Sequence, residues 1–451
     1  MLVPQRDLAV VQKTLAGWLG ERLRGSGPVT IGALKKPGAG MSNETLLFDA
    51  ARPGGSAVPL VARLKPTGEG VFPEYDLSRQ YRVMAQLAAT DVPVPPLIGY
   101  EPDDRILGSP FYVMHRIDGW VPSDVPPYHA FGPTLALTPA ERAQLWWNGV
   151  DVLARIHRLD VERAGLGFLG HPGAGTAPID RELDAYARYL AWARGDQPQP
   201  VLDAALEWLR AHRYTPAHVG LCWGDSRLGN ILFQGTEVAA VLDWEMAFIG
   251  DQEADLAWWL FLDWTFCDGY GVPRLDGFPS REETIARYET LTQRRVEHLE
   301  YQEVLAAFRY GVILLRVSAL LAQAGVAVGP EDMATNNVCT QRLATLLDLP
   351  APGAPARPVA NLAETTAHVQ FHLTGPGGGD WYVKAERGAG SRHEGTVPKP
   401  DATLTVARAD WDAIQRGELN RTEAFFGGKM QLEGDITLFL QLEDMISRLS
   451  K

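Results

Sequence analysis

The chain has 451 residues, 46% of them hydrophobic and 22% charged, with a formal net charge of −13. At roughly 100–200 residues per domain this length allows about two to four domains or lobes, and the acidic balance argues against a general binder of nucleic acid or of anionic membranes. The three cysteines, Cys222, Cys267 and Cys339, are odd in number, widely spaced and without a C-x-x-C, which speaks against a disulfide framework or a zinc site and for a reducing cytoplasm.

The first residues lack a basic start followed by a clean apolar run and do not read as a signal peptide. Residues 7–24 have the period of an amphipathic helix. Residues 29–114 are rich in strands punctuated by Gly and Pro: V-T-I-G-A-L, T-L-L-F-D-A, L-V-A-R-L-K-P and F-Y-V-M-H-R-I, with one helix near 76–90. From 119 to 348 the pattern is mainly helical, and a hairpin over 231–243 is its clear strand pair. His157 lies on an apolar helix face with Trp146, Val150 and Leu153, and reads as a buried, hydrogen-bonded histidine. The apolar stretch 303–325 is broken by Arg309, Tyr310 and Arg316, so it reads as a core helix and not a membrane span. L-P-A-P-G-A-P-A-R-P-V-A at 349–360 reads as a semi-rigid linker. Beyond it, strictly alternating H-V-Q-F-H-L-T, a Gly-rich turn, W-Y-V-K-A-E, A-T-L-T-V-A and helical stretches near 409–417 and 435–449 make a compact α+β unit.

The densest chemistry lies at 221–230, L-C-W-G-D-S-R-L-G-N, followed by I-L-F-Q-G-T-E and V-A-A-V-L-D-W-E. Strand interiors disfavour Asp and Asn, so Asp225, Asn230 and Asp243 at strand ends look like a site. Asp225 is a carboxylate that could take a proton from a hydroxyl. Asn230 and Asp243 offer the neutral and anionic oxygens that a hard cation such as Mg²⁺ prefers. A catalytic Asp, an Asn five residues on and a metal-binding Asp after a short hairpin form the kinase arrangement for phosphoryl transfer. Gly224 and Gly229 suit a tight loop. Asp251 precedes E-A-D-L-A-W-W-L-F-L and is placed as its N-cap.

At these residues the chain resembles the aminoglycoside phosphotransferase (choline kinase-like) superfamily, whose pattern is H-G-D-x-x-x-x-N, then D-W-E, then G-D-P-x-x-D-L-A. The segments here are W-G-D-S-R-L-G-N and D-W-E-M-A-F-I-G-D-Q-E-A-D-L-A. The resemblance covers most of residues 30–320 and is nearest to the branch with kinase domains fused to acyl-CoA dehydrogenases. It implies an α+β, bilobal protein-kinase-like fold: an antiparallel-sheet N-lobe (1–118) and a helical C-lobe (119–348) holding the catalytic and metal site. Asp225 becomes the catalytic base, Asn230 and Asp243 the Mg²⁺ ligands, and Asp255 a brace for the loop backbone. Trp223 replaces the motif's His, removing a polar loop anchor, and Gln252 replaces its Pro.

A kinase-like site also needs a phosphate cover, a strand cation and a hinge for ATP or GTP. The cover candidate is K-K-P-G-A-G-M-S-N-E-T, where Gly38 and Gly40 permit close backbone approach and Ser42 and Asn43 add donors. There is no Walker A pattern. Arg63 and Lys65 share a strand face; the resemblance favours Arg63 where kinases carry Lys, and an Arg fits phosphate differently. The usual Glu partner on the following helix is Gln80 here, with Glu74 as a substitute. The hinge candidate is Met114, His115 and Arg116.

The tail resembles the sterol carrier protein 2 family over 361–449, in V-Q-F-H-L-T-G, K-P-D-A-T-L-T-V and A-F-F-G-G-K-M-Q-L-E-G-D. This implies a small α+β domain over 361–451 enclosing a tunnel for a lipid or acyl ligand, lined by residues such as Phe371, Phe425, Phe426 and Met430. The pattern alone leaves tunnel lining and core filling open. The expectation is a cytoplasmic, Mg²⁺-dependent nucleotide O-phosphotransferase acting on a small-molecule hydroxyl, with a hydroxyacyl or lipid-like acceptor. The alternatives are a catalytically silent kinase-like scaffold with a lipid-binding tail, or an aminoglycoside-type drug phosphotransferase.

Overall fold

The structure, a computed structural model, describes residues 6–36, 43–66, 68–170, 177–323, 332–353, 366–387 and 389–416, and within the tail 418–419, 424, 429–434, 438–439, 442, 445–446 and 449. Gly38, Gly40 and Ser42 of the phosphate-cover candidate, and Phe425 and Phe426 of the tunnel candidate, lie outside the described residues.

The N-lobe opens with helix α1 (Leu8–Gly20), whose first turn is capped by the Asp7 carboxylate. Strands β1 (Thr30–Ile31), β2 (Glu44–Ala51) and β3 (Val58–Leu64) precede α2 (Leu77–Leu87), β4 (Leu97–Glu101), the short α3 (Asp104–Leu107) and β5 (Phe111–His115). The strands form an antiparallel sheet in the order β1-β2-β3-β5-β4. Period-2 alternation assigns its two faces. Leu60, Ala62 and Leu64 of β3, with Phe111 and Val113 of β5, pack under α1. Val61, Tyr112 and Met114 point the other way, into the core shared with the helical lobe. Arg63 shares that inward face. The crossing between lobes is pinned by paired hydrogen bonds from Trp120 to Phe233, 2.9 and 2.8 Å.

The C-lobe contains α4 (Pro139–His157), α5 (Pro178–Arg194) and α6 (Pro200–Ala211), then β6 (Val219–Cys222), β7 (Ile231–Gln234), β8 (Glu237–Val241) and β9 (Phe248–Asp251). Helices α7 (Glu253–Phe266), α8 (Arg281–Thr292), α9 (Leu299–Gln323) and α10 (Val338–Leu346) follow. The expected hairpin is β7–β8. A second antiparallel pair, β6–β9, was not legible in the sequence; its partners are far apart and each is only four residues long. Helix α7 is buried at every position except Trp264, which is why it can carry Asp255 into the core. Helix α9 is long and apolar enough to cross a membrane by length and composition, and it packs against α5, α6, α7 and α10 as a core helix.

The C-terminal domain holds β10 (Thr366–Thr374), β11 (Gly379–Glu386), β12 (Ala389–Glu394), β13 (Ala402–Ala407), α11 (Arg408–Gln415) and β14 (Met430–Gly434). Its sheet is mixed, in the order β12-β11-β10-β13-β14, with β10 and β13 parallel. Phe371 stacks on Trp381 at 3.9 Å, with Trp411 and Phe439 at 5.6 and 6.2 Å. Phe371 and Met430 are both buried in this core. Leu321 and Val317, from the last turns of α9, join the same cluster.

Candidate active site

The loop after β6 begins with Trp223 and Gly224, whose backbone N–H groups donate to the two oxygens of Asp255 at 2.5 and 2.8 Å. Asp255 is fully buried and also meets His157 Nε2 at 3.1 Å, while His157 Nδ1 meets the Tyr288 hydroxyl at 2.6 Å. Gly224 has φ +88°, and a Cβ there would run into the Met246 carbonyl. Only glycine takes this conformation without strain. The Trp223 indole N–H donates to the Leu242 carbonyl at 2.9 Å, so replacing the motif's His does not remove the polar anchor, as the sequence suggested; Trp supplies one itself. Gln252, in place of the motif's Pro, donates to the His157 carbonyl at 2.8 Å and ties the start of α7 to α4. Asp251 is not the N-cap residue of α7, which is Gln252. Its carboxylate nevertheless accepts the Glu253 N–H at 3.1 Å and one hydrogen bond from Gln302 at 3.0 Å.

This clamped loop presents Asp225. Its carboxylate accepts from Asn230 Nδ2 at 2.6 Å, from Trp258 Nε1 at 2.9 Å, and from Arg227 Nε at 3.0 Å on both oxygens. Burial pushes the Asp225 carboxyl up to about 7; Asn230 and Trp258 oppose this, and the nearby Asp243 charge adds to it. Arg227 also pairs with Asp124 from the interlobe segment. Because the Asn230 amide nitrogen serves Asp225, the oxygen of the same amide is the atom left to meet a cation.

Asp243 follows β8 with φ +53°, a left-handed conformation that Asp tolerates. It accepts from Arg63 Nη2 at 2.6 Å across the lobe boundary. Burial is the largest influence on Arg63 and alone would lower it; the Asp243 carboxylate and its hydrogen bond, together with Tyr112 and Glu245, outweigh this and hold the guanidinium above its ordinary value. The structure therefore separates the two strand cations. Lys65 falls after the end of β3, is exposed and makes no side-chain hydrogen bond among the described residues. Arg63 enters the site. Gln80 does not take the expected place beside Arg63. It is buried and accepts from the Tyr112 hydroxyl at 3.3 Å. Glu74 is exposed, and Asp243 acts as the Arg63 counter-ion instead. Asn43 donates to Glu245 at 2.7 Å, bringing the end of the phosphate-cover segment to the residue two beyond Asp243.

At the hinge candidate, the His115 N–H donates to Pro96 O at 2.8 Å and the Arg116 N–H to Pro59 O at 3.0 Å. The Arg116 side chain pairs with Asp49 and Met114 is buried in the core. Those two N–H groups are committed to the sheet, so a purine edge would meet carbonyls here or residues farther along the segment.

Five site residues escaped the sequence reading. Arg227 and Glu245 stood inside the quoted motifs and could have been found as charges two residues beyond Asp225 and Asp243. Trp258 follows Asp255 by one helical turn. Asp124 and Arg309 carry no local signal, because only the tertiary fold brings them in.

The donor set suits a hard divalent cation: the Asn230 amide oxygen and the Asp243 carboxylate are both oxygen ligands. Among the described residues the Arg63 Nε–H is buried without a partner, as a donor awaiting an anionic oxygen would be.

Residues 33–295 match the family described as Phosphotransferase enzyme family, and residues 356–447 match the SCP-2 sterol transfer family. Over 261 residues the chain is 31% identical to mouse (Mus musculus) acyl-CoA dehydrogenase family member 10, a match covering 57% of this chain and 22% of that protein. Over 293 residues it is 30% identical to human (Homo sapiens) acyl-CoA dehydrogenase family member 11, covering 61% of this chain and 35% of that protein. The chain thus spans about a fifth to a third of the length of these relatives. A solved structure of a Ralstonia eutropha protein classed as an aminoglycoside phosphotransferase aligns at TM-score 0.57 and 26% identity, over 74% of this chain and 96% of that one. With more than half its length matched, the chain belongs to the phosphotransferase enzyme family, is related to parts of acyl-CoA dehydrogenase family members 10 and 11, and carries a C-terminal SCP-2 domain.

Proposed function

We propose that the chain transfers the terminal phosphoryl group of ATP or GTP to the hydroxyl of a small molecule, with Mg²⁺ as the cation. One observation carries the reading. Asp225 and Asn230 of the loop after β6 lie near Asp243 after β8, which pairs with Arg63 of β3, 180 residues away and in the other lobe. Asn230 and Asp243 would hold the Mg²⁺, which supplies charge neutralisation at phosphate oxygens when bound. Arg63 would donate to a phosphate oxygen. The acceptor oxygen attacks phosphorus as the bond to the nucleotide's leaving oxygen breaks, and its proton passes to Asp225. A base lifted to about 7 is well matched to that task near neutral pH.

The C-terminal SCP-2 domain supports a lipid-like or hydroxyacyl acceptor over a polycationic drug. The three cysteines are free and buried, which supports a reducing, cytoplasmic setting. A second reading, a catalytically silent scaffold with a lipid-binding tail, is favoured by Gln80, which bonds Tyr112 and leaves Arg63 without a helix partner.

Thermal unfolding with and without Mg²⁺-ATP or Mg²⁺-GTP separates the two. A ligand at about 100 times its dissociation constant adds about 2.7 kcal/mol to stability. A metal-dependent rise in Tm is expected in the wild type and is lost in Asp243→Ala. No rise at millimolar nucleotide would favour the scaffold.

A further inference from the structure

Arg309 lies on α9, a helix that contributes none of the residues discussed so far as base or cation ligand. It is 1% exposed. Its Nη2 donates to the Gly224 carbonyl at 2.9 Å. Its guanidinium carbon sits 4.7 Å from the centre of the Trp258 ring, and 5.1 and 5.6 Å from those of Tyr186 and Phe248. Trp258 in turn donates to Asp225. Arg309 therefore reaches Asp225 by two routes: through the peptide before it and through the ring beside it.

Packing does not explain a guanidinium here. Burying a charge is costly, and an apolar side chain of similar volume among aromatic walls is often neutral or stabilising. The Arg309 Nε–H is buried with no partner among the described residues, while the rest of the guanidinium also hydrogen-bonds Tyr186 and lies beside the Glu182 carboxylate. Beyond those two neighbours, the guanidinium provides a donor aimed at one backbone carbonyl of the loop. That carbonyl shares a rigid peptide plane with the Asp225 nitrogen. Asp255 fixes the Gly224 N–H side of the loop, and Arg309 fixes its carbonyl side. Gly224 has no Cβ to limit rotation, so without the second clamp the plane can turn and re-aim Asp225.

We propose that Arg309 is a positioning residue for Asp225, acting through the Gly224 carbonyl and the Trp258 ring. The proposal rests on the reading of Asp225 as the base.

The test uses the full chain, with Mg²⁺-ATP as nucleotide and water as the acceptor probe, together with hydrogen exchange of the 221–230 loop. Arg309→Met is expected to speed exchange in that loop alone and to lower kcat for hydrolysis about 100-fold, the scale of a small misplacement of a reacting group. The nucleotide KM stays within about threefold, since ground-state binding is untouched. Arg309→Lys, which keeps a donor, recovers part of both losses. Trp258→Phe, which keeps a ring and removes the N–H, lowers kcat without changing loop exchange. A folded Arg309→Met with wild-type loop exchange and kcat overturns the proposal. So does a joint fall in Tm and kcat with a rise in KM that Lys does not restore, which marks a merely structural residue. If Arg309→Met fails to fold, Trp258→Phe and Arg309→Lys decide: wild-type kcat in Trp258→Phe overturns the proposal. If the wild type hydrolyses no nucleotide, loop exchange alone decides this proposal, and the phosphotransferase reading is judged separately by the Mg²⁺-nucleotide rise in Tm.

Discussion

Asp225 sits where its own charge is disfavoured. Its carboxyl is lifted from 3.8 to about 7, chiefly by burial. The folded chain therefore holds that proton more tightly than the unfolded chain, and stability falls as pH rises between those two values. Asp225→Asn mimics the protonated form. In magnesium-free buffer it is expected to unfold at a higher Tm than wild type at about pH 8, with the difference shrinking as pH falls toward about 4. Calorimetry at both ends of the range checks this; a Tm difference independent of pH would contradict it. The same variant should lose about 10²–10⁴ in kcat, the usual contribution of a general base. The carboxylate proposed as the base is thus one the fold holds at a cost.

At the scale of the element, the loop between β6 and β7 is held from both sides by helices: α7 through Asp255, α9 through Arg309. Gly224 is its tightest point. Gly224→Ala places a methyl against the Met246 carbonyl and forces a positive φ on a residue with a Cβ. A loss of about 2 kcal/mol or more is expected, measurable by urea unfolding, with kcat falling alongside it. The motif spacing was legible because Asp225, Asn230 and Asp243 are neighbours through one loop and one short hairpin. The β6–β9 pair was not, since neither strand is long enough to show a period.

Across the whole molecule, α9 connects three regions. Arg309 meets the loop between β6 and β7. Arg316 donates to Glu69 at 2.8 Å and to the Gly70 carbonyl at 3.0 Å, both in the N-lobe. Leu321 is buried with the core of the C-terminal domain. Leu321→Ala should therefore destabilise by about 2–3 kcal/mol, and the loss should appear in the unfolding of the C-terminal domain. Hydrogen exchange in β10 and β13 would report it directly. Unchanged exchange there would place Leu321 outside that core.

Local pattern by itself marked a strand-rich first part, a mainly helical middle, a compact α+β tail and the trio Asp225, Asn230 and Asp243; the bilobal kinase-like architecture came from the family resemblance of the motifs. Strand alternation, helical period and short motif spacing all act over a few residues, so they leave their mark in the sequence. Alternation also put Arg63 and Lys65 on one face. Choosing between them required the end of β3 and the position of Asp243, 180 residues away. The partners of Arg63, the Asp124–Arg227 pair and the Arg309 clamp were decided by tertiary structure alone. Each joins side chains whose separation along the chain has no period to read, and which meet only once the helices have packed around the loop.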